Sequence, residues 1–138
     1  MDAAVQETYF MIKPEIVAAP RQQVGAILAL VNAAGFRITG LAMRRLERPL
    51  VEEFYGEHRG KPFYRDLVDY ITGGAVVAVR LQREEAVAAL RELIGATDPA
   101  KAAVGTIRRL YGASLQNNAV HASANPQDAA REIGLIFG

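Results

Sequence analysis

Gly73-Gly74-Ala75-Val76-Val77-Ala78-Val79 places two breakers before five consecutive apolar residues. A run without polar alternation describes a strand buried on both faces, deep in a sheet. Upstream, Tyr9-Phe10-Met11-Ile12 is a second β-prone run, and Lys13-Pro14 ends it because proline has no N–H for a central ladder. Between the two, Val24, Ile27, Leu28 and Val31 recur at i, i+3, i+4 and i+7, which predicts a helix from Pro20 to Ala34 stopped by Gly35. Arg37 to Glu47 reads as a strand that emerges into solvent at Arg44-Arg45 and is closed by Pro49. Leu50 to His58 and Pro62 to Ile71 read as two short helices, the second apolar along Phe63, Leu67, Val68 and Ile71.

Downstream of the apolar run, Arg83 to Ile94 returns to helical spacing through Val87, Leu90 and Ile94, with Gly95 as its stop. Residues 95–117 show little periodicity, so most of the stretch reads as a long structured loop, a feature that usually serves function. Asn118 to Ser123 is a last short strand. Asn125-Pro126-Gln127-Asp128 then supplies an N-cap, a proline at the first helical position and an acid three residues after the cap, opening a helix to Phe137. The order β-α-β-α-α-β-α-loop-β-α predicts a split βαβ arrangement of the α+β kind, with helices covering one face of a four-stranded sheet.

The 138 residues are 51% hydrophobic and 22% charged, which fits one globular domain over 1–138. A net charge of +1 is too small a field to drive nucleic-acid binding, so any preference for polyanions must come from local clustering. The lack of cysteine removes disulfides, thiolate nucleophiles and cysteine-bound zinc, and two histidines are too few for a histidine-rich metal site. The stretch Met1-Asp2-Ala3-Ala4-Val5-Gln6-Glu7 is not a basic segment followed by an apolar one, and no apolar run reaches membrane-spanning length. A cytoplasmic enzyme or binding domain is expected.

The candidate chemistry centres on His121. Neutral imidazole is a nucleophile near physiological pH, an adjacent carboxylate orients it, and cations absorb phosphate charge. Strand alternation puts Ser123 on the face of His121, and the following helix carries Glu132 back toward them. Asn118 falls on the opposite face under strict alternation, so it shares the site only by preceding the regular strand. Lys13, Arg91 and Arg108 are cations a compact fold would gather. Each also has an ordinary reading: a structural histidine, a solvated carboxylate, surface cations, an arginine complementing its own helix dipole. Thr97-Asp98-Pro99 is a turn signal, and Tyr55 and Phe63 read as packing residues or as a rim for a nucleobase. Neither GxGxxG nor GxxxxGK[ST] occurs, so histidine would have to carry the chemistry.

Taken together, Tyr9-Phe10-Met11-Ile12-Lys13-Pro14, Lys61-Pro62-Phe63-Tyr64, Gly74-Ala75-Val76-Val77-Ala78, Ile94 to Ala100, Gly105-Thr106-Ile107-Arg108 and Asn118 to Ser123 resemble the nucleoside diphosphate kinase family in order and spacing, from about Thr8 to Phe137. The resemblance implies a ferredoxin-like fold with a four-stranded antiparallel sheet surrounded by helices. It implies that His121 is the phosphorylated nucleophile, positioned by Ser123 and Glu132, with Tyr55 beside it. Lys13, Arg91, Thr97 and Arg108 would hold the phosphates, and Lys13 and Asn118 the ribose hydroxyls. Phe63 would stack on the base and Leu115 border it. The implied activity is ping-pong transfer of a γ-phosphoryl group from a nucleoside triphosphate to a diphosphate, with Mg2+ carried mainly by the phosphates. Family members assemble as tetramers or hexamers built from dimers.

The chain departs from the family pattern at Val104 (proline), Arg109-Leu110 (glycine-aspartate), Gln116-Asn117 (glycine-arginine), Ala122 (glycine) and Ala124 (an acid). A nucleotide-binding scaffold with weakened catalysis is the alternative these departures raise. Arg44-Arg45 and Arg108-Arg109 motivate, at most, a weak and salt-sensitive nucleic-acid activity.

Overall fold

A computed structural model describes residues 4–138; Met1 to Ala3, where the stretch read for a targeting signal begins, lie outside the described residues. The elements are β1 (Val5–Ile12), α1 (Pro14–Ala18), α2 (Val24–Ala33), β2 (Arg37–Arg44), α3 (Arg48–Phe54), α4 (Tyr64–Thr72), β3 (Val76–Glu84), α5 (Ala86–Ile94), α6 (Ile107–Tyr111), β4 (Val120–Ala122) and α7 (Pro126–Phe137). Short 3-10 turns occupy Gly56–His58 and Pro99–Lys101.

The sheet runs β2-β3-β1-β4, and every neighbouring pair is antiparallel. β1 and β2 are thus parallel to each other with β3 between them, and β3 and β4 parallel with β1 between them: two interleaved split βαβ units. The crossover helices α2 and α5 lie on one face, where Ile27, Val31, Leu90 and Ile94 pack on Phe10, Ile12, Val77, Val79 and Leu81. The alternate residues Tyr9, Met11, Val76 and Ala78 face the other way, onto Val51, Phe54, Val68, Ile71 and Ile136 of α3, α4 and α7. Each Val, Leu, Ile, Phe or Met among them contributes about 1.5–3 kcal/mol by leaving water.

Helices therefore cover both faces, which corrects the one-face arrangement expected from element order. The reason lies in β1 and β3, apolar at odd and even positions alike, so that each face needs its own cover.

Other boundaries shift for local reasons. The helix expected from Pro20 begins at Val24, while Pro14 opens a separate five-residue helix, α1. The strand at Val76 continues to Glu84, where Arg80 Nε donates to Glu7 Oε2 across the sheet at 2.5 Å, so α5 starts at Ala86 rather than Arg83. The stretch 95–117 is mostly loop, as expected, with α6 formed inside it and capped by the Thr106 hydroxyl accepting from Arg109 N. The expected cap of α7 is present, Asn125 Oδ1 accepting from Asp128 N at 2.8 Å.

Candidate active site

β4 is an edge strand, and its three residues are joined to β1 by pairs that include Met11 with His121. The carbonyls of Val120 and Ala122 point off that edge, where no further strand among the described residues takes them up. Two arginines do so instead. Arg108, on α6, donates from Nη2 to Val120 O at 3.0 Å and from Nη1 to Gly95 O at 3.3 Å; Arg91, in the last turn of α5, donates to Ala122 O at 3.3 Å. Both guanidinium groups thus flank His121, the residue between those carbonyls.

The imidazole lies on the Tyr9 face. Its Nε2 is 2.9 Å from Glu132 Oε1, and the same oxygen accepts from Ser123 Oγ at 2.8 Å. Glu132 is only 3% exposed, not a solvated helix carboxylate. A carboxylate at Nε2 accepts its proton, fixes the tautomer and leaves the Nδ1 lone pair for chemistry. Phe54, Tyr9 and Tyr55 wall the ring at centroid distances of 5.2, 5.9 and 6.2 Å. The Tyr55 hydroxyl is buried without a hydrogen-bond partner among the described residues, and its pKa is driven far up by burial and by the Glu132 charge.

Asn118 does precede the strand, as its sharing of the site requires. Between it and β4, Ala119 adopts φ 75° while Val120 N donates to Asn118 O at 2.9 Å, a γ-turn of the rare, strained hand. A side chain there costs on the order of 1–3 kcal/mol. The turn swings Asn118 inward, so that its Oδ1 accepts from Lys13 Nζ at 2.7 Å and its Nδ2 donates to Thr97 O at 3.1 Å. Thr97 is tied to the site by its carbonyl rather than its hydroxyl. Lys13 is buried, and its ammonium is brought down to about 8 by desolvation and then by Arg108, with Glu15 pulling the other way. Arg108 falls to about 10 through burial and then Arg91, and its Nε is buried without a hydrogen-bond partner among the described residues. Cations that depress one another form a site short of negative charge.

Phe63 and Leu115 stand at the rim, 48% and 62% exposed, outside this network. Phe63 connects inward through His58, whose ring is 5.2 Å from Phe63 and 6.4 Å from Tyr55. Sequence reasoning missed Tyr9 and Phe54 as ring neighbours and Glu15 and Tyr70 as partners of the γ-turn. Only the period-2 alternation of β1, which puts Tyr9 on the Met11 face, signalled any of them.

The arrangement gathers Lys13, Arg91 and Arg108 near an imidazole that has one nitrogen outside its carboxylate contact. The nucleoside diphosphate kinase family model matches residues 6–138. A nucleoside diphosphate kinase of Pelotomaculum thermopropionicum is 50% identical over 133 residues, covering 96% of this chain and 88% of that protein. One from Sorangium cellulosum is 46% identical, covering 97% and 92%. Among solved structures, the Aquifex aeolicus nucleoside diphosphate kinase superposes with a TM-score of 0.93 at 38% identity, covering 98% of this chain and 96% of that one. The halophilic nucleoside diphosphate kinase of Halobacterium salinarum, solved in complex with CDP, gives 0.91 at 37%, covering 97% and 88%. The chain belongs to the nucleoside diphosphate kinase family, whose members are phosphotransferases.

Proposed function

We propose that this chain moves the γ-phosphoryl group of a nucleoside triphosphate, typically ATP, to a nucleoside diphosphate through a phosphohistidine at His121. The observation that carries the reading is the Nε2–Glu132 contact of 2.9 Å, which commits one ring nitrogen to the protein and frees the other. In the first half-reaction Nδ1 attacks the γ-phosphorus; the P–N bond forms as the bond to the β-phosphate oxygen breaks, and the diphosphate leaves with those electrons. In the second half-reaction a terminal oxygen of another diphosphate attacks the same phosphorus, and the P–N bond returns its pair to Nδ1. The Nε2 proton stays throughout, donated to Glu132, which steadies the positive ring of the intermediate; Ser123 holds that carboxylate in place. Lys13, Arg91 and Arg108 meet the phosphate oxygens as charge shifts during a loose transition state.

Thr97 and Asn118 line the phosphate and ribose end, Tyr55 keeps water from the ring, and Phe63 with Leu115 holds the base. Magnesium enters with the nucleotide as part of the substrate: the donors gathered here are cations, and among the described residues no three His, Cys, Asp or Glu side chains cluster as a metal cage.

The protein is a homo-oligomer, a tetramer or hexamer built from dimers, supported by the β2 edge, where Leu41 is 55% and Met43 62% exposed. Its setting is the cytoplasm; among the described residues no helix is long and apolar enough to cross a membrane. Nucleic acid is at most a secondary ligand, because a net charge of +1 gives too weak a field to draw a polyanion.

A coupled assay with several nucleoside diphosphates tests the activity against the scaffold alternative. Turnover with all of them is expected, since an apolar base platform reads little of the base. Tight nucleotide binding with no turnover would establish the scaffold instead.

A further inference from the structure

The γ-turn that delivers both Asn118 and His121 is built on a buried alanine at φ 75°, a conformation that glycine adopts freely and other residues resist. Something must hold it. Lys13 N donates to Ala119 O at 2.9 Å from one side, and on the other Ala119 N donates to Glu15 Oε1 at 3.2 Å. That carboxylate oxygen is itself gripped by the Tyr70 hydroxyl. Glu15 lies in the first turn of α1 and Tyr70 near the end of α4, so one residue from each of two helices joins the chain that holds the peptide N–H just before β4. Lys13 Nζ also lies 5.9 Å from the Tyr70 ring centroid, and Glu15 opposes the loss of its charge.

We infer that Glu15 and Tyr70 are positioning residues for phosphoryl transfer, a clamp that holds Ala119 in its strained turn and thereby sets Asn118 against Lys13 and aims the His121 ring. The inference rests on the kinase reading for its kinetic consequence, though not for the geometry. Neither residue reaches the reacting atoms. Without the clamp Ala119 relaxes toward negative φ, which swings Asn118 outward and tilts the start of β4. Because displacements of about 1 Å at a reacting centre cost up to roughly a hundredfold, Glu15→Ala is expected to slow saturated transfer about tenfold and Tyr70→Phe about threefold.

The test measures single-turnover phosphorylation of His121 by saturating ATP, together with hydrogen exchange of the Val120 amide, which closes the turn. Wild type, Glu15→Ala, Tyr70→Phe and Glu15→Ala/Ala119→Gly are compared. The expected result is slower transfer and faster Val120 exchange in both single variants, with transfer largely recovered in the double variant, because glycine takes the turn without strain. Simple destabilisation by Glu15→Ala would not be cured by adding glycine. Tyr70→Phe keeps the ring and its packing, so it reads the clamp even where Glu15→Ala folds poorly. Unchanged rates and exchange in Tyr70→Phe, or a Glu15→Ala deficit that Ala119→Gly leaves in place, overturns the inference. Wild type that forms no phosphohistidine, while the variants still accelerate Val120 exchange, refutes the kinase reading and leaves the clamp standing.

Discussion

Lys13 sits buried between Asn118 and the Tyr70 ring with Arg108 close enough to repel it, which lowers its pKa from 10.5 to about 8. A bound polyphosphate would reverse that, because an adjacent anion favours the charged form. Two opposite pH dependences result. In the proposed mechanism nucleotide capture needs the ammonium, so kcat/KM is expected to fall as pH rises through about 8, and Lys13→Arg, charged at all relevant pH, should flatten that limb. Stability of the unliganded protein runs the other way. Between about 8 and 10.5 the unfolded chain holds the proton that the folded one has released, so unfolding becomes harder with rising pH across that window. Urea melts at pH 7.5 and 9.5 check the sign. At this scale the sequence was legible for His121, Ser123 and Glu132, since alternation fixes the first two and the Asn125 cap fixes where α7 turns back. It was silent on Glu15 and Tyr70, whose partner is a backbone amide in a γ-turn that no residue type announces.

α5 and α6 interlock at a single glycine. Gly95 ends α5 at φ 88°, and a Cβ there would fall 2.6 Å from Thr106 Oγ1 and 2.7 Å from Thr106 Cβ. Its carbonyl accepts from Arg108. The helix carrying Arg91 and the helix carrying Arg108 are thus locked together by a contact only glycine allows. Gly95→Ala combines backbone strain with a clash and is expected to cost about 1–3 kcal/mol in thermal or urea unfolding. It should also raise the nucleotide KM by spreading the two guanidinium groups. Unaltered stability and KM would show that the junction gives way without cost. α5 and α7 were readable because each is long enough to show a period and a cap. α1 and α6, at five residues each, are shorter than two turns, so no periodicity exists to be read.

At the scale of the whole molecule, the sheet with helices on both faces still leaves β2 open along one edge with Leu41 and Met43 uncovered. The open edge supports the proposed assembly, and sedimentation is expected to show a tetramer or hexamer that Met43→Glu shifts toward smaller species; a wild-type monomer at micromolar concentration would contradict it. The split βαβ order followed from the sequence of breakers and apolar runs. The layering did not, because periodicity shows that a strand is buried on two faces without showing which helices bury it.

The proposed chemistry turns on the Nδ1 atom of His121 accepting and surrendering a phosphoryl group. Incubation with γ-labelled ATP, followed by mapping of the modified residue, tests it most directly. One acid-labile, alkali-stable phosphate is expected on His121, discharged by added nucleoside diphosphate and missing from His121→Ala. Label that persists in His121→Ala, or that maps to another side chain, would contradict it.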